Sequence, residues 1–236
     1  MNEYIDHRNF ELWNLLSENY NISIENSPNN EYSCFIQNSI AIIYIVPTNI
    51  SRNSFMHELL HIYLKYKEFY LGSSIKNFIR QDNVLSKMLS EKLLEHIGNC
   101  LDHTKTFQIY CDLGFKEEEF QIDFETFKCN KEDLNNLKMH FNLLGNNNAT
   151  VIDSYIGKLI SMLCDPNKNN VYFKELYEFE TLDSELYKII HKLVNDTKNF
   201  DIEKNNFLYS YRDISIDFYE NLKKWSHNKN TNKKNF

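Results

Sequence analysis

The stretch Ser54-Phe55-Met56-His57-Glu58-Leu59-Leu60-His61-Ile62-Tyr63 limits what this chain can fold into more than any other. On an α-helix, residues four apart lie on one face, one turn above the other. His57 and His61 can therefore offer two imidazoles to a single metal ion, with Glu58 beside it. Glu58 is the only acidic, lysine or arginine residue in the ten. A helix this apolar on every side is a buried one. A buried Glu between two buried His needs partners, and a metal ion supplies them. In such a site zinc brings the pKa of a water toward ~7 and the Glu takes its proton. The competing reading is a chance match on an ordinary core helix.

Around this helix the pattern reads as α+β. Phe10, Trp13, Leu15 and Leu16 predict a first helix over 7–18. Segments 21–25, 32–37 and 40–46 have strand character, and the last two form a hairpin through Asn38-Ser39. The Ile- and Val-rich third strand is expected to be buried on both faces. Pro47 to Ser51 breaks it, and Ser51 caps a helix over 52–67. Helices are then expected over 82–103 and 106–113, the second stopped by Gly114. Further on, the pattern predicts helices over 130–144 (Asn130 cap, Gly145 stop), 148–164, 170–179 and 183–196. The aromatic stretch 207–218 fits no one class. The expected organisation is a catalytic core over 1–115, a helical part over 116–225 and a disordered basic tail over 226–236.

The motif helix resembles the active-site helix of the zincin metallopeptidases, and the resemblance covers about residues 40–104. It implies a zincin-like fold, with a small antiparallel-containing sheet packed on the active-site helix. In that family an edge strand beside the helix holds extended substrate, and 40–46 is similar in position. A catalytic zinc needs a third protein ligand. The metzincin subtype would place a glycine three residues and a histidine six residues after His61, where Leu64 and Lys67 stand, and is excluded. Gluzincin-like proteins take a Glu from a later helix. Here Glu91, Glu95, Asn99 and His103 follow one another at four-residue steps.

Glu95 followed by Asn99 is similar to the gluzincin ligand and its supporting residue. The helix also resembles that of the ImmA/IrrE-type metalloproteases, with Gly98 where a small residue is expected. The resemblance thus implies Zn2+ held by His57, His61 and Glu95, Glu58 as general base, and Asn99 hydrogen-bonding one His. Asn99 stands where the family usually has an acid, and Ser54 where it has Thr or Val. Glu91 is the alternative third ligand. His103 is read as a catalytic donor to the oxyanion of a tetrahedral intermediate, with metal binding as its alternative role. The whole stripe reads alternatively as an exposed charged face.

A net charge of -7 argues against a nucleic-acid surface, which needs a basic face. The longest apolar run, 40–46, is too short to span a bilayer. Five cysteines without close pairing read as reduced thiols, and no leader segment is legible, so a cytoplasmic setting is expected. The expected partner is a protein or peptide substrate, with no nucleic acid or membrane; nothing encodes oligomeric state. Three functions follow: a zinc metallopeptidase, a non-catalytic zincin-like binding or sensor module, or a helical interaction protein.

Overall fold

A computed structural model describes residues 3–144, 148–204 and 210–231, and its fold is α+β and mostly helical. Two compact units make up the chain, one from Met1–Phe69 with Lys105–Glu125, the other from Tyr70–Thr104 with Thr126–Phe236. This differs from a division at 115. Residues 70–104 belong with the C-terminal helices, and 116–125 return to the N-terminal unit.

In the first unit, helix α1 (Phe10–Asn19) precedes three strands, β1 (Asn21–Asn26), β2 (Ser33–Gln37) and β3 (Ile40–Ile45). The sheet order is β1-β3-β2, with β1 parallel and β2 antiparallel to β3. The β2–β3 hairpin turns where expected, and Asn38 takes φ 54°, a left-handed conformation that Asn tolerates. Two expectations for the third strand fail. β3 is central, paired on both sides, so it offers no edge to a substrate. It is also buried on one face only: Ala41 and Ile43 are enclosed, while Ile40 on the other face is 50% exposed.

Helix α2 (Arg52–Tyr66) packs on β2 and β3. Ser51 caps it as expected, its Oγ accepting from Ser54 N–H at 3.1 Å. Phe55, Met56, Leu59, Leu60 and Ile62 are fully enclosed in the core, with Tyr4 stacked on Phe55 at 5.2 Å. At the C-terminus, Phe69 N–H reaches Leu64 O and Glu68 N–H reaches Lys65 O, the paired bonds of a left-handed stop. Glu68 adopts it without being glycine, at φ 55°.

The chain then forms α3 (Leu71–Gln81), which the sequence pattern did not reveal, and the single helix expected over 82–103 is split. Asp82 Oδ1 accepts from Val84 and Leu85 N–H and starts the four-residue α4 (Leu85–Met88). Ser90 Oγ accepts from Leu93 N–H and starts α5 (Glu91–Asp112). These short side chains compete for backbone groups and end one helix while opening the next. α5 runs straight through the expected break at Thr104, whose hydroxyl bonds Leu101 O, and stops at Gly114 (φ 84°). One helix therefore starts in the second unit and ends in the first.

In the second unit, Gly72 of α3 and Gly98 of α5 meet without side chains; a Cβ on Gly72 would lie 2.7 Å from Gly98 Cα. Helices α6 (Lys131–Leu144), α7 (Ala149–Leu163), α8 (Phe173–Leu182), α9 (Ser184–Asn199) and α10 (Tyr211–Thr231) follow. Asn130 and Asn148 cap α6 and α7. The expected stop at Gly145 lies outside the described residues, as do 207–209 of the aromatic stretch. The expected disordered tail is corrected over 226–231 and lies outside the described residues over 232–236. Residues 226–231 are the last turns of α10, where Ser226 is buried and Lys229 Nζ lies 3.1 Å from Asp183. Trp225, fully enclosed, donates to the same carboxylate. Among the described residues no helix is long and apolar enough to cross a membrane, and none of the five cysteines forms a disulfide.

Candidate metal centre

Helix α2 holds His57 and His61 one turn apart, their ring centroids 5.1 Å from each other. His103, on the turn of α5 that leads into the first unit's returning segment, completes a cluster. The ligand atoms of His57, His61 and His103 all lie within 4.8 Å of one another. Three imidazoles in this arrangement could hold a metal ion. Neutral imidazole nitrogens suit a borderline divalent metal, and three protein ligands leave a position for water or substrate.

The environment keeps His57 in the form a metal needs. Burial, with neighbouring His61 acting in the same direction, holds its pKa down at about 3. A hydrogen bond from the ring to the Phe120 carbonyl acts the other way. That bond also favours the tautomer whose proton lies on the nitrogen facing the carbonyl. The Phe120 ring lies 4.8 Å from that of His57. Phe107, one turn beyond His103, packs edge-on against Phe120 at 5.1 Å. The segment after α5 thus supplies both an apolar wall and an acceptor.

Glu58 is 9% exposed. Burial raises its pKa, against the opposing effects of nearby His61 and of a hydrogen bond from the Cys34 thiol. A carboxyl so placed is closer to sharing its proton at neutral pH than a solvated one.

The remaining expected site residues lie elsewhere. The Glu95 side chain is 66% exposed and accepts from Lys76 Nζ at 2.9 Å. Glu91 is tied to Arg80 Nε at 2.8 Å and to Lys76 at 3.0 Å. Asn99 is exposed. Eight residues of helix put Glu95 about 12 Å along the axis from His103. Neither Glu95 nor Asn99 joins the cluster that could hold a metal ion, whereas His57, His61 and His103 do. His103 stands in the cluster with His57 and His61, where it could be a ligand, the alternative to its expected oxyanion role. Glu91, Glu95 and Asn99 form the exposed charged face that was the alternative reading. Gly98 is small because Gly72 packs against it.

Sequence reasoning missed Cys34 and Phe120. Cys34 lies in the expected strand 32–37 and reads from the sequence only as a reduced thiol, and Phe120 acts through its carbonyl, which no side-chain pattern encodes. No protein-family model, curated protein or solved structure matches this chain.

Proposed function

We propose that the chain is a zinc-dependent hydrolase acting on a protein or peptide, with His57, His61 and His103 as the metal ligands and Glu58 as the proton carrier. The observation that carries this reading is the convergence of three imidazoles beside one buried carboxyl. Resemblance of the motif helix to that of zincin metallopeptidases points the same way. When bound, zinc would supply Lewis acidity, bringing a water's pKa toward ~7 and polarising a carbonyl.

The protein's own part is to orient and to move protons. The Phe120 carbonyl holds the His57 ring by its far nitrogen. Glu58 takes a proton from the attacking water and returns it to the departing amine, a double role suited to a carboxyl whose pKa is raised by burial. Phe107 and Phe120 give the centre an apolar flank in which charge interactions strengthen.

The experiment is cleavage of a mixed peptide library by zinc-loaded protein, read by mass spectrometry, with zinc content measured in parallel. Wild type should cleave. Glu58→Gln should keep about one equivalent of zinc and lose at least a hundredfold in rate, within the ~10²–10⁴ range for a positioned proton carrier. Undiminished cleavage by Glu58→Gln would sink the mechanism. Zinc binding without cleavage by wild type would favour a binding or sensor module.

A further inference from the structure

Glu58 cannot be satisfied by bulk water where it lies, so what holds its carboxylate matters. Strand β2 faces it. In the β2–β3 register Cys34 stands opposite Ile43. Directly paired residues share a face of the sheet. Ile43 is fully enclosed in the core with Phe55, Leu59 and Leu60 of α2. Cys34 therefore points to the α2 side, whereas its neighbour Phe35, opposite Ile42, is 48% exposed on the other face. The thiol donates a hydrogen bond to the Glu58 carboxylate.

A Glu side chain has three rotatable torsions, and holding it in one rotamer costs conformational entropy. One donor on a rigid strand offsets that cost and occupies a single oxygen. A thiol is a weak donor, so it orients the carboxylate without stripping it of basicity as an ammonium would.

We propose that Cys34 is a positioning residue for Glu58, its thiol on β2 holding one carboxylate oxygen and leaving the other to carry the proton. This rests on reading Glu58 as the proton carrier. Cys34 touches neither metal nor substrate in this role. It acts through Glu58 alone.

Two readouts on the full-length protein test it. The first is the rate of iodoacetamide alkylation at Cys34, followed peptide by peptide by mass spectrometry, in wild type and Glu58→Gln. Cys34 is half-buried and within reach of the reagent. Removing the carboxylate charge beside a thiol eases thiolate formation, so labelling of Cys34 should quicken about threefold or more while Cys111 is unchanged. The second is peptide cleavage and zinc content in Cys34→Ala and Cys34→Ser. The alanine variant should keep its zinc and its KM and lose about three- to tenfold in kcat. The serine variant, still a donor, should recover most of that.

Unchanged labelling in Glu58→Gln overturns the contact itself. Altered labelling with Cys34→Ala as fast as wild type overturns the positioning role. Failure of the underlying reading looks different: Glu58→Gln would cleave normally while the alkylation rates still decide the contact.

Discussion

Replacing His103 should cost the protein its metal, and replacing Glu95 should not. Structural zinc sites with four protein ligands gain about 10–16 kcal/mol on binding, so one ligand contributes roughly 3 kcal/mol, or about a hundredfold in affinity. His103 is buried within reach of His57 and His61, and no other acidic, Cys or His side chain joins that cluster among the described residues. His103→Ala, and the bulkier His103→Gln as a control for packing, should therefore weaken zinc binding by about a hundredfold or more. Glu95 sits in solvent, paired with Lys76. Its replacement by Gln removes an exposed ion pair contributing about 0–1 kcal/mol to stability, and zinc affinity should stay within a factor of two. Competition with a fluorescent chelator measures both, with circular dichroism confirming the fold. The reasoning is refuted if the His103 variants bind zinc as tightly as wild type, or if Glu95→Gln loses the metal.

Acid should destabilise the zinc-free protein through His57. Its folded pKa of about 3 lies below the unfolded value of roughly 6.5, so the unfolded state binds the proton more readily. The stability that neutral His57 retains above pH ~6.5 is lost as pH falls toward about 3. Chelator-treated wild type should show a falling Tm across that window, and His57→Gln a flatter one; equal slopes would contradict the burial of an uncharged ring. At the α3–α5 crossing, Gly72→Ala would bring a Cβ to 2.7 Å from Gly98 Cα, against 3.3 Å from Gly72 Cα for Gly98→Ala. Both should lower stability in urea, the first by about 1–3 kcal/mol and more than the second; a neutral Gly72→Ala would show that the helices can separate freely.

Features that local chemistry decides were legible in the sequence. The motif helix, its Ser51 cap, the β2–β3 hairpin, the Asn130 cap and the Gly114 stop all depend on residues within one turn of each other. Long-range pairing was not. β1 joins β3 in parallel, which makes β3 central, and no property of 40–46 announces a second neighbour. The break between α4 and α5 turns on Asp82 and Ser90 choosing backbone partners, a competition that apolar periodicity does not register. The third ligand failed for a geometric reason. Successive four-residue steps advance about 400° on a helix with 3.6 residues per turn, so such a stripe winds by about 40° each time. Glu95 and His103 therefore point about 80° apart, and only His103 turns toward the pair on α2.

Because α5 begins in one unit and ends in the other, the centre has an order of assembly fixed by synthesis. His57 and His61 leave the ribosome some forty residues before His103, and the Phe120 carbonyl later still. The first unit cannot close until its returning segment, Lys105–Glu125, has emerged. Until then the nascent chain presents two imidazoles and a carboxyl with no third ligand and no apolar wall. On the proposed reading, metal capture is thereby deferred to a chain already long enough to fold around it, and an interrupted translation product would carry the motif without the centre.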